Sequence, residues 1–187
     1  MSTPSSGGPI GVLRLFVDIA RFRKGPEDLP VSRVVLGWCI VAGIVLRALI
    51  SRSLPMPYKG NVLAILAIDT VTTLLFVALV LAAVRRPERF LQTASAIFGI
   101  QLVMLPVIVA ASWLLSTFQS DSFWSVPVLA LTVAVDVWGL VIVARILRSA
   151  TGWSLAACVG LAILSDLLTF SVMSLLFPLN MPLPTQA

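Results

Sequence analysis

The sequence predicts an all-α fold: a polytopic membrane helical bundle of about five transmembrane helices, with an N-terminal interfacial amphipathic helix. Three observations predict it. The chain of 187 residues is 59% hydrophobic and 11% charged, with a mean hydropathy of +1.05. Soluble domains are about half apolar and about a quarter charged, so lipid must solvate much of this surface. Five apolar runs cover roughly 34–50, 62–84, 90–115, 123–147 and 153–177. A bilayer crossing needs about 20 apolar residues and no fewer than about 17, which each run supplies, the first only just. Ahead of them, Arg14, Asp18 and Arg21 recur at i, i+4 and i+7 among Val12, Leu13, Leu15, Phe16, Ile19, Ala20 and Phe22. That spacing gathers the charges on one face of a helix lying in the interface plane.

The elements follow in chain order. Residues 1–9, MSTPSSGGP, cannot bury enough apolar surface to order themselves and are expected to form a disordered tail. Residues 10–32 hold the amphipathic helix and a linker in which Pro26 and Pro30 break the helix, with Ser32 placed to cap the next one. The apolar stretch within this segment is interrupted by Arg14 and Asp18 and has no basic region before it, unlike a cleavable signal peptide, so a retained N-terminus is expected. Residues 33–178 form the five-span domain. Its short links (SRSLPMPYKGN, RRPER, a polar turn at 119–122, and RSATG) favour antiparallel neighbours in one bundle. Pro106, inside the third run, should kink its helix and free a carbonyl. Residues 179–187 form an uncharged C-terminal tail with Pro182 and Pro184.

Charge gives the bundle a direction. With alternating spans, Arg14, Arg21, Arg23, Lys24, Arg33, Arg85, Arg86, Arg89, Arg145 and Arg148 fall on one side, and Arg47, Arg52 and Lys59 on the other. Cytoplasmic flanks are enriched in Lys and Arg, so the N-terminus is expected inside and the C-terminus outside. Tyr58, Trp113 and Trp124 near the outer boundary and Trp153 at the inner one agree with that; Trp138, within the fourth span, does not. The net charge of +5 is spread between apolar runs rather than along a polar face, so nucleic acid is not an expected partner. Arg14, Arg21, Arg23, Lys24, Arg85, Arg86 and Arg89 are candidate contacts for lipid phosphates, against the simpler role of topology signals.

Ionisable residues inside spans are rare because hydrocarbon opposes their burial. With a rise of about 1.5 Å per residue from the inner ends, Gln101 lies about 17 Å deep, Asp136 about 18 Å, Asp166 about 21 Å and Asp69 about 24 Å. Gln101, Asp136 and Asp166 therefore form a candidate intramembrane polar site near the midplane. The competing reading satisfies each acid locally, through Thr132 for Asp136 and Thr169 for Asp166. Arg47 and Asp69 lie at similar depth on successive antiparallel spans and form a candidate structural ion pair. Gly152, Ala156 and Gly160 recur every four residues, a stripe that permits close helix packing within the bundle or against a second copy or protein partner. Ser95 and Gly99 make a shorter version.

The sequence holds no histidine, which removes haem b ligation, His-based zinc sites and Ser-His or Cys-His nucleophile pairs. Cys39 and Cys158 each sit inside an apolar run, where a thiol behaves as a small hydrophobe. No phosphate-cradling glycine loop, HExxH, GxSxG or GxGD pattern occurs. No cofactor and no metal are expected, and the chain is expected not to be an enzyme.

Two segments resemble a known family. VWGLVIVARILRSATGWSLAACVGLAIL, residues 137–164, looks like the Yip1 pattern of a Trp-containing helix, a Gly turn and a Ser/Ala-rich start. FRKGPEDLPVS, residues 22–32, is similar to the pre-membrane segment of bacterial Yip1-like proteins. The resemblance covers residues 10–177. It implies a cytoplasmic N-terminal segment, five closely spaced spans, a C-terminus on the far side and a bacterial inner membrane. Eukaryotic members are associated with Rab GTPases, but the DLYGP-type motif is missing here, so no Rab-binding residue carries over.

The expected function is that of a non-enzymatic integral membrane scaffold or adaptor that contacts lipid and partner proteins. The first alternative is a small proton-coupled transporter or carrier using the midplane acids, although five spans cannot form two equal inverted halves. The second is a subunit of a larger membrane complex. An intramembrane enzyme is a more distant alternative, resting on the acids alone.

Overall fold

Apolar runs of this length must satisfy every backbone amide internally once water is excluded, which leaves the helix as the local solution. The computed structural model describes residues 9–52, 58–118 and 123–178, apart from the side chains of Pro9 and Ile10. The N-terminal tail through residue 8, the polar turn at 119–122 and the C-terminal tail at 179–187 lie outside the described residues. The described residues form six α-helices: α1 (Pro9–Ala20), α2 (Arg33–Ile50), α3 (Val62–Ala83), α4 (Phe90–Phe118), α5 (Ser125–Thr151) and α6 (Leu155–Leu176). Short 3-10 turns at Pro26–Asp28 and Pro87–Arg89 precede α2 and α4. Helices α2 to α6 are each long and apolar enough to cross a membrane, as expected of a multi-pass membrane protein.

Local chemistry sets the helix ends. Ser32 accepts the Val35 amide at 3.5 Å, Asn61 accepts the amides of Leu63 and Ala64, and Ser154 accepts that of Ala157. Each satisfies a donor left orphaned in a first turn. Helix α1 closes with the Arg23 amide donating to the Asp18 carbonyl at 2.9 Å, and α3 with that of Arg86 donating to Leu81 at 2.9 Å. These six-to-one turns place Phe22 and Arg85 at φ +61° and +57°, a region L-residues seldom enter. Helix α5 ends at Gly152, at φ +79°, whose amide donates to Arg148 at 2.8 Å.

The core centres on the first half of α4. Residues 93–100 are buried in succession, because α1, α2, α3 and α5 all pack against this helix. Gly99 has no room for a Cβ, since the Phe16 ring of α1 occupies the space. Phe16, Ile19 and Ala20 are buried by this docking. The amphipathic pattern alone assigns that face to lipid; the structure gives these three residues to the protein, because a glycine at 99 lets the aromatic ring approach the α4 backbone. Helix α4 remains continuous through Pro106, which is exposed. Packing is uneven: 56% of the apolar window of α4 is buried, against 17% in α5 and 11% in α6.

Candidate functional site

Helix α2 carries Arg47 in its last turn, next to α3 and α4. Its guanidinium donates to Asp69 Oδ2 at 2.8 Å and to Gln101 Oε1 at 3.2 Å. Arg47 and Asp69 are 29% and 26% exposed, so the pair is half-buried. One planar fork therefore ties three spans together, a geometry that suits guanidinium better than ammonium. Gln101, grouped by depth with Asp136 and Asp166, is also a member of the Arg47 and Asp69 cluster.

The same cluster borders a cavity of about 340 Å³ between α3, α4, α5 and α6. Asp69, Gln101 and Asp166 line it, with Thr73, Ser165 and Thr169 adding polar groups and Phe76 and Phe170 apolar ones. Asp136 does not line this cavity and is exposed on α5, although it recurs at i, i+7 and i+11 with Val143 and Leu147, which do. Local satisfaction by Thr132 does not occur, because its hydroxyl donates to the Val128 carbonyl of its own helix at 3.0 Å. Among the described residues, neither Asp136 nor Asp166 has a hydrogen-bond or ion-pair partner. Nor is there a group of three or more acids or cysteines placed to hold a metal ion.

The candidate lipid contacts divide into two sets. Arg89 donates to the Ser149 carbonyl at 2.7 Å and Arg86 to that of Ala150 at 3.4 Å, so both cap the end of α5. Carbonyls in a last turn lack helical partners, and cations there also oppose the helix dipole. Arg14, Arg21, Arg23, Lys24 and Arg85 are exposed. Arg23 and Lys24 face a second cavity, of about 690 Å³, with Arg145 and Arg148 across from them. In the sequence Arg145 and Arg148 read only as topology signals, although their spacing of three on the last turns of α5 puts both on one helical face.

The stripe of Gly152, Ala156 and Gly160 is exposed throughout, and a Cβ on Gly160 would meet nothing within 4 Å. Helix α6 instead presents Cys158 and Ala162 to the core, both fully buried at 0% and 2% exposure. Both cysteines are buried and free. No protein-family profile, curated protein or solved structure matches the chain.

Proposed function

We propose that the protein is a non-enzymatic membrane scaffold or adaptor of Yip1-like arrangement, seated in a bacterial inner membrane with its N-terminus cytoplasmic and its C-terminus outside. Asp136 carries this reading. A carboxylate exposed at mid-span costs about 2.5–3.5 kcal/mol when it meets lipid. A neighbouring protein that supplies a donor removes that cost, and the surrounding surface of α5 is apolar, with Val133 51% and Val137 54% exposed. Membership of a larger complex is the same reading with a permanent partner.

A photo-crosslinking residue at Val133 or Val137 should capture one defined membrane protein in cells, while the same residue at Val41, exposed on α2, should not. Capture of lipid alone at all three positions, with normal bilayer organisation in a deletion strain, would sink the adaptor. A C-terminal alkaline phosphatase fusion should be active if that end is outside.

The cavity between α3 and α6 favours a second reading, a proton-coupled carrier. Asp69, Gln101 and Asp166 converge there at membrane depth, where intramembrane acids often mark ion pathways. Asp166→Asn separates the two readings, because Asp166 lines the cavity and Asp136 does not: lost transport with normal folded protein favours the carrier, and unimpaired transport removes it.

A further inference from the structure

We infer that the cavity at the basic end of the bundle binds the phosphate of an anionic phospholipid headgroup. Its volume, about 690 Å³, is that of a ligand pocket rather than a packing defect. Arg23 and Lys24, which follow α1, face Arg145 and Arg148 of α5 across it. Among the described residues none of the four has an ion-pair partner, since Arg47 with Asp69 is the sole salt bridge there. Two acids share the cavity without neutralising them. Asp28 accepts the Gly25 amide of its own turn at 3.2 Å, and the Glu27 carboxylate folds over Gly25. Four cations against two acids leave an excess of two positive charges.

One of these cations is held in place by a neighbouring ring. Arg145 lies 4.7 Å from the centroid of the Phe22 ring, which directs its guanidinium. Phe22 reaches that position at φ +61°, a conformation costing about 1–2 kcal/mol that persists only where the surroundings over-determine it. Ile19, Ile142, Ile146 and Trp153 supply apolar wall. Arg145 sits six residues, about 9 Å, before the end of α5, so the pocket reaches from the headgroup level toward hydrocarbon. An anion that continues into an apolar body fits this better than a free ion, and basic pockets between spans are known to take such headgroups. The inference goes beyond the adaptor reading and stands whether or not a protein partner exists.

The test uses the full chain in nanodiscs of phosphatidylglycerol or phosphatidylcholine, with retained lipid counted by native mass spectrometry. Wild type should retain phosphatidylglycerol by about tenfold over phosphatidylcholine. Arg145→Gln with Arg148→Gln should bring the ratio near parity, as should Arg23→Gln with Lys24→Gln, which alters only the exposed segment before the spans and covers a folding failure of the first variant. Phe22→Leu should give an intermediate ratio. Arg52→Gln with Lys59→Gln, outside the cavity, should leave it unchanged. Equal retention of both lipids by wild type, or an equal loss in the Arg52 and Lys59 variant, overturns the site. Stabilisation of the detergent-solubilised protein by inorganic phosphate, dependent on the four cations and without lipid retention, overturns the lipid assignment in favour of a soluble phosphate ester.

Discussion

Among the described residues, Arg47 holds more of the membrane-embedded polar structure than any other side chain, because Asp69 and Gln101 both depend on it. Arg47→Met leaves Asp69 without its counter-ion, at a cost of about 2–3 kcal/mol. Adding Asp69→Leu should recover most of that loss, since the uncompensated carboxylate goes with it. Thermal unfolding of the two single variants and the double variant in detergent gives the coupling; additive losses would show that the two groups act independently. The participation of Gln101 was not legible from depth along the sequence. Counting residues from the inner end treats every helix as parallel to the membrane normal. Helix α4 has 29 residues and is about 43 Å long, well beyond the hydrocarbon thickness of about 30 Å, so a residue count along it does not fix a depth in the bilayer. The length of the arginine side chain bridges the remaining difference.

At the scale of elements, hydropathy found all five spans but not their ends. The apolar count stops the fourth run at Leu147, before Arg148; the helix continues to Thr151, because a charged residue can face the headgroups without interrupting helical hydrogen bonds. Gly152 stops it by adopting φ +79°. Gly152→Ala should therefore destabilise the protein by about 1 kcal/mol, read as a lower midpoint of thermal unfolding. The α1 contact depends on Gly99 in the opposite way, through missing volume. Gly99→Val places methyl groups where the Phe16 ring lies and should cost about 1–3 kcal/mol, with α1 displaced from α4. Faster tryptic cleavage after Arg21 or Arg23 would report that displacement. An unchanged cleavage rate would mean that α1 stays docked through Ile19 and Ala20. The small-residue stripes could not be told apart by spacing alone: Ser95 and Gly99 lie in the core, while Ala156 and Gly160 are exposed. Each occurs on a helix of nearly uniform hydropathy, so nothing in the pattern of α4 or α6 marks which face is turned inward.

The whole molecule is asymmetric about α4. Helices α1, α2, α3 and α5 pack against it, whereas among the described helices α6 packs chiefly on α5 and α3. Leu164 and Leu167 of α6 are 52% and 57% exposed, while Ile142 of α5 is 1% exposed. In a bilayer, exposed leucines exchange one apolar neighbour for another, so their truncation forfeits little packing; a buried isoleucine has partners on every side. Leu164→Ala with Leu167→Ala should shift stability by no more than about 0.5 kcal/mol, while Ile142→Ala should cost about 2–5 kcal/mol. Thermal unfolding in detergent measures both. The adaptor reading adds a second consequence. If a partner covers α5 around Asp136 and extends onto α6, the double leucine variant should lose the crosslink formed from Val137 while its unfolding midpoint stays unchanged. A retained crosslink would confine the partner to α5. Loss of stability in the leucine variant would show instead that the outer face of α6 packs against a second copy that persists in detergent.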